Sequence, residues 1–115
     1  MKTSELSGAA LDWAVAKCEG VNEETFRLFY EPTEPTDYDA HGFPEFNYST
    51  IWSQGGPIIE REKIAIDWDH DCWNADVYDS SYGGYSSGPT ALVAAMRNYV
   101  ASKLGAEIEI PEELK

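Results

Sequence analysis

Two stretches of this chain carry residue types at spacings that do chemistry. The first is Asp67-Trp68-Asp69-His70-Asp71. Alternate carboxylates beside a histidine are the beginning of a hard-metal loop, because Ca²⁺ takes several oxygen ligands from one tight turn. A metal held there would open hydrolytic chemistry. The pattern departs from an EF-hand: counting from Asp67, the sixth position is Cys72 rather than Gly and the twelfth is Tyr78 rather than Glu. Alternation also puts Asp67 and Asp69 on the solvent face of a strand whose other face holds Ile64, Ile66 and Trp68, where acids oppose edge-to-edge association. No metal is therefore assigned. Asp67, Asp69, His70 and Asp71 stand as the candidate ligands if residues from elsewhere complete a site, and a metal-dependent hydrolase is the enzymatic alternative.

The second stretch is Ser81-Tyr82-Gly83-Gly84-Tyr85-Ser86-Ser87-Gly88-Pro89-Thr90, which runs into a helix. Glycines let backbone amides converge, and N–H groups at a helix start attract anions. It is not a P-loop, since both the spacing and the lysine of that motif are missing. A flexible loop whose Ser87 or Thr90 caps the helix explains the same residues structurally. The functional expectation is a small anionic or nucleotide-like ligand. Tyr82 and Tyr85 would stack on its planar group, with Gly88 and Thr90 at the helix start and Arg97 two turns in. Arg61 would reach the same place, and Gly55 and Gly56 of the Gly55-Gly56-Pro57 turn would share the pocket.

Other catalytic arrangements find little support. His41 and His70 are the only histidines, and the chain has neither a G-x-S-x-G elbow nor an H-E-x-x-H helix. Cys18 falls at a helix C-terminus, where the dipole raises a thiol's pKa and makes a poor nucleophile. Glu60-Arg61-Glu62-Lys63 lacks the E-x-K spacing of a metal nuclease and is better explained as surface charge alternation. Among the aromatics, Trp13, Trp68 and Trp73 occupy apolar-face positions and are expected in the core. Trp52, Tyr82 and Tyr85 lie in or beside turns and are expected at the surface, where aromatics among acids mark protein-binding faces.

The elements that must position these residues follow from periodicity. A helix is predicted over 7–17, with Ser7 as cap, Asp12 early, Lys17 late and Gly20 beyond its end. Thr25 to Tyr30 alternates as a strand. Residues 31–47 carry five acids and no Lys or Arg; their prolines end regular structure, and Tyr38, Phe43 and Phe46 suggest a loop that packs some aromatics. Tyr48 to Gln54 reads as a short strand or as irregular chain, Gly55-Gly56-Pro57 as a turn, and Pro57 to Glu62 as one helical turn opened by proline. Lys63 to Trp68 and Trp73 to Tyr78 alternate as strands, and the short connection between them predicts an antiparallel hairpin. After the loop from Asp79 to Gly88, a helix runs from Pro89 to Leu104 with Leu92, Ala95, Met96, Tyr99, Val100 and Leu104 as its buried stripe. A short alternating stretch and a proline-led turn, Pro111 to Leu114, close the chain. The order predicts one α+β domain over 1–115: a small, mostly antiparallel sheet of three or four strands packed on one face by two helices, about 7–17 and 89–104.

Composition bounds the partners. With 43% hydrophobic and 13% aromatic residues the chain has material for a core. Its 21 acids against 8 bases give a net charge of −13, and without clustered Lys and Arg neither nucleic acid nor anionic lipid is an expected direct partner. The acidity serves solubility or docking onto a basic surface, including one that normally holds DNA. Two cysteines without C-x-x-C spacing do not make a zinc site. The beginning Met1-Lys2-Thr3-Ser4-Glu5 has no apolar leader segment and no apolar run spans a membrane, so the reducing cytosol is the expected setting, with both thiols free and buried. No cofactor is expected, and oligomeric state is not legible.

Several blocks occur together and in order: Lys2-Thr3-Ser4-Glu5-Leu6; Ala9 to Lys17 (Ala-Ala-Leu-Asp-Trp-Ala-Val-Ala-Lys); Gly55-Gly56-Pro57-Ile58-Ile59-Glu60-Arg61-Glu62; Gly88-Pro89-Thr90-Ala91-Leu92-Val93-Ala94-Ala95-Met96-Arg97; and Tyr99 to Gly105. In these the chain resembles a family of small phage and prophage proteins of unknown function, often labelled NinX-like, over nearly its whole length. The resemblance implies a phage product made inside a bacterium and supplies no catalytic residues. The functional expectation is a non-enzymatic binding protein, for a small anionic or nucleotide-like ligand or for a host macromolecule. An acidic inhibitor of a basic host protein, or a DNA mimic, is the alternative.

Overall fold

Helix α1 (Gly8–Cys18) begins after Ser7, whose extended backbone sits at the cap position although its side chain makes no capping bond. The helix ends where the sequence places its stop. Gly20 has φ +88°, Gly20 N–H donates to the Lys17 carbonyl and Val21 N–H to that of Ala16, the paired bonds of a Schellman motif. Asp12 does not serve the helix dipole as expected: it is buried in the second turn. The computed structural model describes residues 1–22, 46–77 and 85–114. The expected strand Thr25–Tyr30, most of the 31–47 loop and Tyr82 lie outside them.

Helix α2 (Trp52–Glu62) corrects the reading of residues 48–62, since Gly55-Gly56-Pro57 lies inside a helix and is no turn. Residues 48–50 form the turn that leads into it. Thr50 and Ile51 N–H groups donate to the Asn47 carbonyl, and the Gln54 side chain accepts from Asn47 N–H. Tertiary packing overrides the low helical propensity of two glycines and a proline. At Gly55 a Cβ would stand 2.5 Å from both Leu92 Cδ1 and the Tyr48 carbonyl oxygen, so the missing side chain is what lets this helix lie close to its neighbours. Lys63, left-handed at φ 56°, ends α2 and turns the chain directly into the sheet.

Strands β1 (Ile64–Asp69) and β2 (Cys72–Val77) form the expected antiparallel hairpin, with Ile64 opposite Val77, Ile66 opposite Ala75 and Trp68 opposite Trp73. Its two-residue loop is His70-Asp71, with His70 at φ 41°. A third strand, β3 (Ser86–Gly88), pairs antiparallel with β2 inside the segment expected to be loop. Serine and glycine give strands little propensity; here Gly88 is required because a Cβ would come within 2.9 Å of Ala94 N and Val93 Cγ1. The sheet order is β1-β2-β3.

Helix α3 (Ala91–Leu104) begins two residues later than expected, capped by Thr90, whose hydroxyl accepts from Val93 N–H at 3.0 Å. The helix is buried more widely than the expected stripe, since Val93, Ala94, Asn98 and Ala101 are buried as well and Leu104 is only half-buried. It lies against all three strands, and α1 and α2 pack mainly on α3. The architecture is α+β, with three helices among the described residues where two were expected. Leu6, Leu11, Val15, Ile58, Met96, Tyr99 and Val100 form the centre of the core. The segments around Met1–Thr3 and Ala106–Ile108 are bonded to each other, through Met1 with Ile108 and Thr3 with Ala106.

Candidate functional site

The residues expected around the helix start are held in two separate places. Gly55 and Gly88 both meet the first turn of α3, against Leu92 and against Val93 and Ala94 respectively, as close packing contacts. Gly56 lies 3.8 Å, measured from an added Cβ, from the Trp52 ring. The Thr90 hydroxyl closes the cap. Arg97 is turned to the backbone: Nε donates to the Leu6 carbonyl at 2.7 Å and one terminal nitrogen to the Ser87 carbonyl at 2.8 Å. Burial pulls its pKa down from the ordinary guanidinium value. Arg97 thus ties the segment before α1 and strand β3 to α3. Tyr85 is 69% exposed.

Arg61 stands elsewhere. It closes α2 beside the C-terminal half of α3, and Tyr99, its neighbour there, is nine residues beyond Thr90, about 13 Å along a helix. The guanidinium forks onto Glu19 at 2.6 and 3.1 Å, donates to Glu62 at 2.9 Å and to the Tyr99 hydroxyl at 3.1 Å. Lys103 pairs with the other Glu62 oxygen at 3.3 Å. The Tyr99 hydroxyl donates to Glu19 in turn, so the network joins the ends of all three helices. Hydrogen bonds from Arg61 hold Glu19 and Glu62 below the usual carboxylate range, while burial, then Glu19, lift Tyr99 above the usual phenol value. Each group has its partner within the network, as in a structural clasp.

One buried titratable group, Asp12, has a role that the sequence does not signal. Asp12 in α1 accepts both the Ser49 N–H, at 2.9 Å, and the Ser49 hydroxyl, at 2.8 Å. Burial raises its carboxyl to about 6 against those two bonds, which lower it. No periodicity signals such a contact, because Ser49 is far away in the chain. Cys18 is raised to about 12, by burial first and by Glu19 second. The expected weak nucleophile is present, but the cause is mainly burial.

The hairpin presents the other candidate set. Asp67 and Asp69 on β1 and Asp76 on β2 are exposed on the sheet face away from α3, and Asp71 and His70 are exposed at the loop. Among the described residues no group of three or more His, Cys, Asp or Glu is placed to hold a metal. Trp68 corrects its expected core position. It shares a face with Ile64 and Ile66, yet exposure grows along the strand from Ile64, buried, to Trp68, 56% exposed. The strand carries Trp68 past the cover of α3, onto Trp73, with ring centroids 5.4 Å apart and planes tilted by 59°. Trp13 is core as expected, and Trp73 is half-buried. The signal for Trp68 was present in its neighbours, since Asp67, Asp69 and Asp71 surround it just before a two-residue turn.

No described helix is long and apolar enough to cross a membrane. No curated protein matches the chain. The family model described as Bacteriophage P22, NinX matches residues 2–103, a stretch that takes in α1, α2, the hairpin, β3 and all of α3 but its last residue, and the chain belongs to that family.

Proposed function

We propose that this phage-family protein is a non-enzymatic binding protein that engages a basic host protein through the distal end of the β1–β2 hairpin. The observation that carries the reading is Trp68, more than half exposed and braced on Trp73 among aspartates. Residues 64–77 contain four Asp and no Lys or Arg. An anchored indole beside carboxylates suits a Lys or Arg side chain. The ring face attracts the cation, the carboxylates pair with it, and the aliphatic stem covers the ring. The small-anion reading at the α3 start draws less support, because Thr90 and Arg97 are bonded within the fold and Arg61 is bonded beside the C-terminal half of α3. The setting we favour is the reducing host cytosol, which accords with the unpaired Cys18 and Cys72.

Capture from host lysate at low ionic strength tests the reading, comparing the protein with its Trp68→Ala variant. A basic polypeptide retained by the former, released by salt and lost by the latter is the expected result. No retained partner, or equal retention by the variant, would overturn it.

A further inference from the structure

We propose that the edge of β1, unpaired among the described residues, is a strand-addition site for a basic, extended segment of that partner, an inference that rests on the hairpin being the docking face. Among the described residues β1 is an edge strand. Bonded and non-bonded pairs alternate along an antiparallel ladder, and Asp69 faces Cys72 across the two-residue loop, the position that a bonded pair takes in a hairpin closed by two residues. Asp67 and Ala65 therefore also bond towards β2, while Ile66 and Trp68 turn their N–H and C=O groups to the open edge. Among the described residues no backbone group bonds to that edge. The opposite edge is less suited, since β3 has three residues and its Ser87 carbonyl is taken by Arg97.

Charge selects the occupant. Side chains of an added strand alternate between faces. Those on the outer face would lie beside Asp67 and Asp69, and those on the other face beside Ile66 and Trp68. Lys or Arg at every second position, with apolar residues between, complements both rows. A second copy of this chain is disfavoured by the same pattern, because pairing β1 with β1 would bring the Asp67 and Asp69 rows of both copies together. The aspartates thus repel the strand most available for self-association and attract a basic one.

The test uses the full chain and a capped peptide alternating Lys and Val. Controls are the same peptide with Glu for Lys, and the same peptide N-methylated at every residue, which keeps charge and side chains but has no backbone donors. Amide exchange and chemical shifts are followed by NMR. Strand addition slows exchange at the Ile66 and Trp68 amides, weakens the N-methylated peptide by about tenfold or more, and leaves the Glu peptide unbound. In the Asp67→Lys/Asp69→Lys variant the preference passes to the Glu peptide. Equal affinity for the N-methylated peptide would overturn strand addition while leaving a basic partner in place. No binding of the Lys peptide, or an unchanged preference in the double variant, would also overturn it, and lysate capture would then decide the docking reading separately.

Discussion

Replacing Asp12 by Asn should stabilise the protein at neutral pH, and the gain should vanish in acid. The Asp12 side chain is 2% exposed and its carboxyl is raised from 3.8 to about 6. A rise of that size corresponds to about 3 kcal/mol of folding free energy lost when the group ionises. The sign follows from proton uptake. Between the two values the folded state holds the proton and the unfolded chain does not, so this group's contribution is fully present below about pH 4. It is lost as pH rises through about 6. Asn is neutral, nearly isosteric, and keeps an oxygen to accept the Ser49 N–H and hydroxyl. Urea unfolding of both proteins from pH 4 to 8 should show Asp12→Asn more stable by about 2 kcal/mol or more at pH 7, with a difference near zero at the acid end. A difference independent of pH, or one that favours Asp12 more as pH rises, would refute the reasoning. The first would mean that the two Ser49 bonds offset desolvation, and the second that they outweigh it and hold the carboxylate ionised.

Gly88→Ala should cost about 2 kcal/mol or more, because the new methyl meets the Ala94 backbone nitrogen, which cannot rotate away; a drop in the midpoint of thermal unfolding reads it. Trp68→Ala should change stability by less than about 1 kcal/mol, whereas Trp13→Ala, in the core, should cost about 3 kcal/mol or more. Chemical denaturation of the two variants separates a surface ring from a core one. Cys18 should alkylate slowly at neutral pH in the native protein and rapidly after unfolding, because burial and Glu19 oppose its thiolate; mass spectrometry after iodoacetamide treatment follows it by peptide.

Where local rules and tertiary packing agree, the sequence was legible. Gly20 and Gly105 mark the ends of α1 and α3 because each adopts the positive φ that a helix stop favours. The hairpin register follows from a strict alternation in which Ile64, Ile66, Ala75 and Val77 share the α3-facing side. Packing against residues far away in sequence was not legible. Gly55-Gly56-Pro57 looks like a break, and becomes helix because Leu92 and Tyr48 require a bare backbone there. Ser86-Ser87-Gly88 looks like loop, and becomes strand because β2 offers a ladder and α3 leaves room only for glycine. Of the candidate site, the acidic hairpin was legible as a cluster. The exposure of Trp68 had its signal in the three flanking aspartates, but alternation, which assigns a face and does not say how far a helix covers it, pointed to the core. Arg61 and Arg97 were sought at one place because both are cations. The fold uses each as a clasp between elements, Arg97 from the middle of α3 onto the Leu6 and Ser87 carbonyls and Arg61 from the end of α2 onto Glu19, Glu62 and Tyr99.

The central claim is that the hairpin end is the surface this protein presents to a basic partner. Replacing Trp68 with a photo-reactive benzoylphenylalanine tests it most directly inside the host, with the same residue at Trp52 as a second exposed site, 57% accessible on α2. The expected result is a specific cross-link from position 68 to a basic host polypeptide and none to it from position 52. A partner captured at position 52 but not at 68, or no product at position 68, would contradict it.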